Sequence, residues 1–321
     1  MYSNFNSDNS NNFDDELDVK ALFSSLWQEK WLIGGVVTFF SIVSIFYSLS
    51  LPNIYSSEAI MSPVQDENAS DSMFSNYSAL ANVAGISLPG QNNNNALNKA
   101  KQKLKTLSFF EDSILPNIYL PNLMAVQSWD TATNTIKYDD KLYNEYDSKW
   151  VRDFKYPKTQ IPSSQESFIV FMKEHLEINE DKSTGFITIS IKHQSPFVAK
   201  KWVILIVDAI NDYYRSKDKF EAQAAIEYLG AQMAQTSYDE VRKVIAQLIQ
   251  RNTQKLSLTE AGEYYILEYI DPPVVAEKKI SPSRSKICFL GAFLGALVGI
   301  FLAFLRRYLK GDMSNNNLNV I

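Results

Sequence analysis

The chain has 321 residues, a formal charge of −5 and a hydrophobic share of 45%. Its single Cys excludes an intrachain disulfide, and one Cys with two His argues against a zinc site. The acidic balance, with no basic face clear of the apolar runs, excludes nucleic acid as a partner.

Residues 1–13 are rich in Asn and Ser and are expected to be disordered. Residues 18–30, DVKALFSSLWQEK, place Val19, Leu22, Phe23, Leu26 and Trp27 at helical spacing, so a short amphipathic helix is expected there. Residues 31–51, WLIGGVVTFFSIVSIFYSLSL, carry no charge. As a helix they cross roughly 30 Å of hydrocarbon. A buried core helix is the competing reading; the length and purity of the run favour a span. The segment lacks a small-x-small cleavage pattern and is read as a signal anchor. Lys20 and Lys30 precede it, and Lys and Arg are absent from Trp31 to Asn98, so the N-terminus is assigned to the cytoplasm.

A large loop, residues 52–286, follows. NIYSSEAIMSPV reads as a strand ended by Pro63, and residues 65–98 as polar loops around a short helix. Residues 96–112 read as one basic amphipathic helix, and the Tyr-, Asp- and Lys-rich tract to Tyr156 as mostly irregular. Residues 163–175 resume helical spacing, and LEINEDKSTGFITISIKH is a hairpin with Ile187, Ile189 and Ile191 on one face. Ser195-Pro196 opens a long helix to about Gln235. Ser237 and Glu240 have capping-box spacing for a second helix, about 238–258, so the two form an antiparallel helical hairpin. EYYILEYI then reads as a strand. The fold expected is an α+β domain with a projecting helical arm, anchored by two transmembrane helices.

The stretch from residue 270 turns from stiff to positive to apolar. Pro272, Pro273 and Pro282 hinder helix and imply an extended connector. Lys278, Lys279, Arg284 and Lys286 are candidates for contact with lipid phosphates and with the pyrophosphate of a lipid-linked substrate. These cations run against the positive-inside bias, which is weak across long loops. Residues 287–305 form the second span, with Arg306, Arg307 and Lys310 on the cytoplasmic side. Gly291, Gly295 and Gly299 repeat GxxxG twice, and Gly34, Gly35, Ser41, Ser44 and Ser48 are the candidate facing surface on the first span. A tail, 306–321, completes two passes with both termini cytoplasmic.

Catalytic chemistry is not apparent. His175 and His193 have no ligand partner at useful spacing and read as surface residues; no GxSxG and no GxxxxGK[ST] occurs. The tract YDDKLYNEYD lacks the glycine and spaced ligands of a calcium loop and reads as solvated. The many Tyr and Trp residues could stack on sugars, but core and subunit contacts account for them more simply. No cofactor, metal or catalytic residue is assigned.

Four stretches, LPNLMAVQSWD, YDSKWVRDFK, INEDKSTGFITISIKHQSPFVAKKW and EYYILEYIDPPVVAEKKISPSRSK, resemble the Wzz-type polysaccharide chain-length determinants, or polysaccharide co-polymerases. The likeness runs from about Leu17 to Arg307, with Ala276 standing where many relatives have proline and an arm shorter than in the longest members. The resemblance implies a non-enzymatic protein of the Gram-negative inner membrane with a periplasmic loop. It implies ring-shaped homo-oligomers that contact lipid-linked polysaccharide and membrane lipids. Such rings work beside a Wzy-type polymerase to set O-antigen length. The near alternative is a capsule or exopolysaccharide co-polymerase; with the chain ending at Ile321, its tyrosine kinase would be separate. A two-span sensor and an anchored glycan-modifying enzyme are weaker readings.

Overall fold

The computed structural model describes residues 27, 29–64 and 93–316, with side chains from 97 to 306 in the last segment. The tail 1–13, most of the helix expected over 18–30, and the apolar island within 65–92 lie outside the described residues. The chain forms two compact units, one of residues up to Leu51 together with those from Pro282, the other Pro52–Ser281.

In the second unit, β1 (Tyr55–Pro63) is an inner strand of an antiparallel sheet with β6 (Leu176–Glu180), β7 (Ile187–His193) and β8 (Leu267–Asp271), ordered β6-β7-β1-β8. Alternation decides which face is apolar. Ala59, Met61, Ile187, Ile189, Ile191 and Leu267 are fully buried. They join one core with Ala199, Trp202, Val203, Ile206, Val207 and Ile210, one stripe of the helix α5 (Pro196–Gln235). Each buried Ile contributes about 1.5–3 kcal/mol relative to an exposed one. On the other face of β7, Ser190 is buried as well. Its cross-strand partners are Glu58 and Glu177, and their long side chains flank it on both sides. Gly185 ends the β6–β7 turn at φ +75°, a conformation that favours glycine.

Asn211 fastens α5 to the sheet. Its Oδ1 accepts from the backbone N–H groups of Tyr265, Ile266 and Leu267 at 2.8–3.2 Å, and its Nδ2 donates to the Val207 and Leu267 carbonyls. Buried donors and acceptors of this kind cost about 1–3 kcal/mol each when left unpaired.

Between β1 and β6 the chain departs from its expected pattern. The single helix expected over 96–112 is two pieces. The first is α2 (Asn93–Leu104). Thr106 then adopts extended backbone and caps a new turn by accepting from Phe109 N–H, and a π-turn follows over Phe110–Ile114. The tract expected to be irregular contains α3 (Leu120–Met124) and two small hairpins, β2 (Val126–Asp130) with β3 (Thr135–Tyr138), and β4 (Tyr143–Asn144) with β5 (Lys149–Trp150). Tyr119, Tyr138, Tyr143 and Trp150 hold these together through edge contacts, and the Tyr119 and Tyr143 hydroxyls lie 2.6 Å apart. That hydroxyl contact is the main reason the Tyr119 phenol is pushed up to about 12.

Ser163 opens α4 (Ser164–Val170) with a capping box to Glu166. Arg152 grips the Glu166 carboxylate at 2.7 and 3.3 Å and donates to the Thr159 and Gln160 carbonyls, closing the loop between them. Chiefly through Arg152, Glu166 is held down at about 2.

Neither histidine has the surface placement expected: His193 is buried and His175 half-buried. His175 and His193 lie ring to ring at 5.6 Å, and each meets the Trp202 indole edge-on. His193 Nδ1 accepts from Ser195 N–H at 2.9 Å, which leaves Nε2–H to donate to the Asn122 carbonyl at 2.9 Å. The ring is therefore neutral, and it ties α3 to the start of α5. Burial, with the neighbouring His175 as a lesser cause, depresses His193 to about 4. Below pH 6.5 the unfolded chain takes up a proton that folded His193 refuses, so this stability is complete above pH 6.5 and lost as pH falls toward 4. The loss predicted is about 3 kcal/mol. Urea denaturation between pH 7.5 and 4.5 checks it: His193→Gln should flatten the pH dependence, and an unchanged slope would assign that dependence elsewhere.

Candidate functional site

The first unit is a pair of apolar helices. Both α1 (Lys30–Ser50) and the Arg284–Arg306 part of α7 (Arg284–Asn316) are long and apolar enough to cross a membrane. Gly291, Gly295 and Gly299 are buried at every fourth position of α7, in line with Ala303. A Cβ added at Gly291 would lie 1.6 Å from Ser44 Oγ; at Gly295, 2.9 Å from Phe40 Cβ and 3.1 Å from Val37 Cα; at Gly299, 3.2 Å from Ile33 Cα. Rising numbers on α7 meet falling numbers on α1, so the helices run antiparallel. Arg306 pairs with Glu29 at 2.9 Å at one end of the pair. Rows of small residues four apart let two backbones approach closely, and dispersion between them is what holds helices in lipid.

Ser44 is the small polar residue that meets this row. Ser41 donates to the Val37 carbonyl of its own helix, and Ser48 is buried. Gly34 and Gly35 were expected in the interface and are not there. Both are exposed, with nothing within 4 Å of an added Cβ. The face that meets α7 is Ile33, Val37, Phe40 and Ser44, a ridge of three- and four-residue steps that passes beside the glycine pair.

The connector, residues 272–281, has no regular element. Pro272 and Pro273 follow β8 directly, where their missing N–H groups end the ladder. Ser57 Oγ then donates to the Val274 carbonyl at 2.8 Å. Ile54 and Ser281 form an isolated antiparallel bridge, and Lys279 donates to Asn53 Oδ1 at 2.8 Å. Pro282 is buried, and the next residue, Ser283, offers its carbonyl to the N–H groups of Lys286 and Ile287, starting α7. The four cations do not fall in one unit: Lys278 and Lys279 belong with the sheet, Arg284 and Lys286 with the helix pair.

The third feature is the hairpin of α5 and α6 (Asp239–Ala261). The expected capping box of Ser237 and Glu240 does not form, because the helix begins one residue later, with Tyr238 as its cap position. That shift puts Glu240 at the second helical residue, a turn position from which it cannot reach back as a third residue does. Ionic and polar contacts brace the root. Arg215 donates to the Gly262 and Glu263 carbonyls, Lys255 pairs with Asp218 at 2.9 Å, the Tyr265 hydroxyl donates to Asp218, and Lys219 pairs with Glu260. Farther along, Ala222 and Ile245 are buried, while Val241, Val244 and Leu248 leave an exposed apolar stripe on α6. Among the described residues, no group of three or more His, Cys, Asp or Glu is placed to hold a metal ion.

Residues 15–114 match the family model for Wzz, chain length determinant protein. No curated protein matches the chain. Among solved structures it is similar to a full-length bacterial polysaccharide co-polymerase at 14% identity and a TM-score of 0.41, covering 96% of this chain and 100% of that one. It is also similar to a fragment of WzzB, a polysaccharide co-polymerase from Salmonella Typhimurium, at 11% identity and a TM-score of 0.30, covering 71% of this chain and 100% of that one.

The glycine contacts differ in what can yield. The Ser44 hydroxyl can rotate away from a Cβ at position 291, but Val37 Cα and Ile33 Cα are backbone. Gly295→Leu is predicted to weaken the helix pair by about 1–3 kcal/mol, the usual cost of overpacking, and Gly34→Leu to be near neutral. The SDS mole fraction at which micelle-bound protein loses its helix–helix contact, read by energy transfer between labels on the two helices, separates the two.

Proposed function

We propose that this protein is a Wzz-type chain-length determinant, a non-enzymatic regulator of the modal length of the O-antigen of lipopolysaccharide. It acts in the bacterial inner membrane beside a Wzy-type polymerase, with residues between the spans in the periplasm and both termini in the cytoplasm. The observation that carries the reading is the family match over residues 15–114, on a chain whose candidate spans pair antiparallel. An antiparallel pair supports two passes that return the chain to one side, as the Lys and Arg positions before the first span and after the second also do.

The protein works as a homo-oligomeric ring. Support comes from the exposed stripe of Val241, Val244 and Leu248 on α6. Contiguous apolar surface of this kind marks a protein contact. In such an assembly the ring holds the polymerase and the growing lipid-linked polysaccharide together, and subunit packing sets how long they stay together. Neither a cofactor nor nucleic acid enters this account.

Deleting the gene and resolving the surface polysaccharides on a gel tests it. The expected result is loss of modal length in the O-antigen ladder, restored by the intact gene. A change confined to capsule or exopolysaccharide would move the role to a co-polymerase paired with a separate tyrosine kinase. An unchanged distribution in every surface polymer would contradict both.

A further inference from the structure

The connector carries apolar side chains that the fold does not cover. Val274 is 66% and Ile280 49% exposed, and exposed Lys278 lies between them with Lys279 and one acid, Glu277. Single exposed apolar residues are ordinary on a protein surface. Chain geometry sets these apart. Ile54 is bonded to Ser281, four residues after Ser50 closes α1 and three residues before Arg284 opens α7. No more than four residues of chain therefore separate the bridge from either apolar helix. Val274 is tied to Ser57, three residues along the chain from Ile54. The headgroup layer on each side of the hydrocarbon is itself about 5–8 Å deep. Charged Arg284 and Lys286 precede the apolar run of α7 and belong in that layer.

We propose that Val274, Lys278 and Ile280 form an edge that docks on the headgroups of anionic phospholipid. The two β-branched side chains enter the boundary between headgroup and acyl chain, and Lys278 meets the phosphodiester. The sign of the charge supports this occupant: Lys278 and Lys279 outnumber Glu277, and the chain continues into two more cations. The inference rests on the two-span reading and adds a lipid-binding edge to the unit between the spans.

The test uses the full chain in nanodiscs, with Cys288→Ser removing the single native thiol. Spin labels are placed one at a time through Val274→Cys, Ile280→Cys, Phe46→Cys and Tyr228→Cys. Collisions with oxygen are compared with collisions with a water-soluble nickel chelate. Labels at 274, 280 and 46 are expected to favour oxygen, and the label at 228 the chelate. Labels at 274 and 280 as chelate-accessible as 228, with 46 immersed, would overturn the docking edge and leave the spans standing. A water-exposed label at 46 would overturn the two-span reading and the inference with it. Replacing phosphatidylcholine by phosphatidylglycerol should deepen the label at 280, and Lys278→Glu should abolish that gain. Equal depth in both lipids would overturn the assignment to anionic headgroups.

Discussion

One short backbone pairing constrains the rest of the chain. Ile54 N–H donates to the Ser281 carbonyl, and Ile280 N–H donates to the Ile54 carbonyl. These bonds hold the entrance and the exit of the sheet-bearing unit side by side. Because β1 begins at the next residue and sits inside the sheet, the exit segment must run back along it. Prolines suit that segment. Pro272 and Pro273 follow the last ladder residue, and Pro282 comes just before the helix, so none of the three removes a hydrogen bond from β8 itself. The isolated bridge therefore closes the unit where a regular strand could not continue.

The same economy appears in the helix pair. In lipid, the apolar side chains of two spans gain little by meeting each other, since hydrocarbon solvates them equally well. Close approach of backbones supplies what burial does not. Gly291, Gly295 and Gly299 clear a track on α7 for the Ile33, Val37, Phe40 and Ser44 ridge. The polar effort of the chain goes into bracing: Asn211 with five bonds to backbone groups, Arg152 closing a loop, and six side chains at the hairpin root.

Features set by local pattern were legible in the sequence. The apolar runs, the alternation of Ile187, Ile189 and Ile191, and the Ser195-Pro196 start of the long helix all depend on neighbours within a few residues. Features set by distant partners were not. Nothing near His193 in sequence announces Trp202 or the Asn122 carbonyl, so both histidines read as surface residues. The hairpins of 126–150 rest on Tyr119, Tyr138, Tyr143 and Trp150, which are scattered along the chain and meet only in the fold. Gly34 and Gly35 illustrate a different failure. Small residues mark where a helix can approach, but the rotation of α1 decides where one does. Ser163 with Glu166 and Ser237 with Glu240 both have capping-box spacing, and of these only the first forms one, because the exact start of a helix decides which residue is third.

The central claim is that entrance and exit stay paired while the protein works. It is tested most directly by joining them. Bonded antiparallel partners lie within the Cα separation of a disulfide, so Ile54→Cys with Ser281→Cys, in a Cys288→Ser background, should cross-link within one chain on mild oxidation of native membranes. Cells carrying the oxidised protein should keep the polymer length distribution of the unlinked control. Failure to cross-link, or a cross-linked chain that loses length control while the reduced form keeps it, would contradict the account.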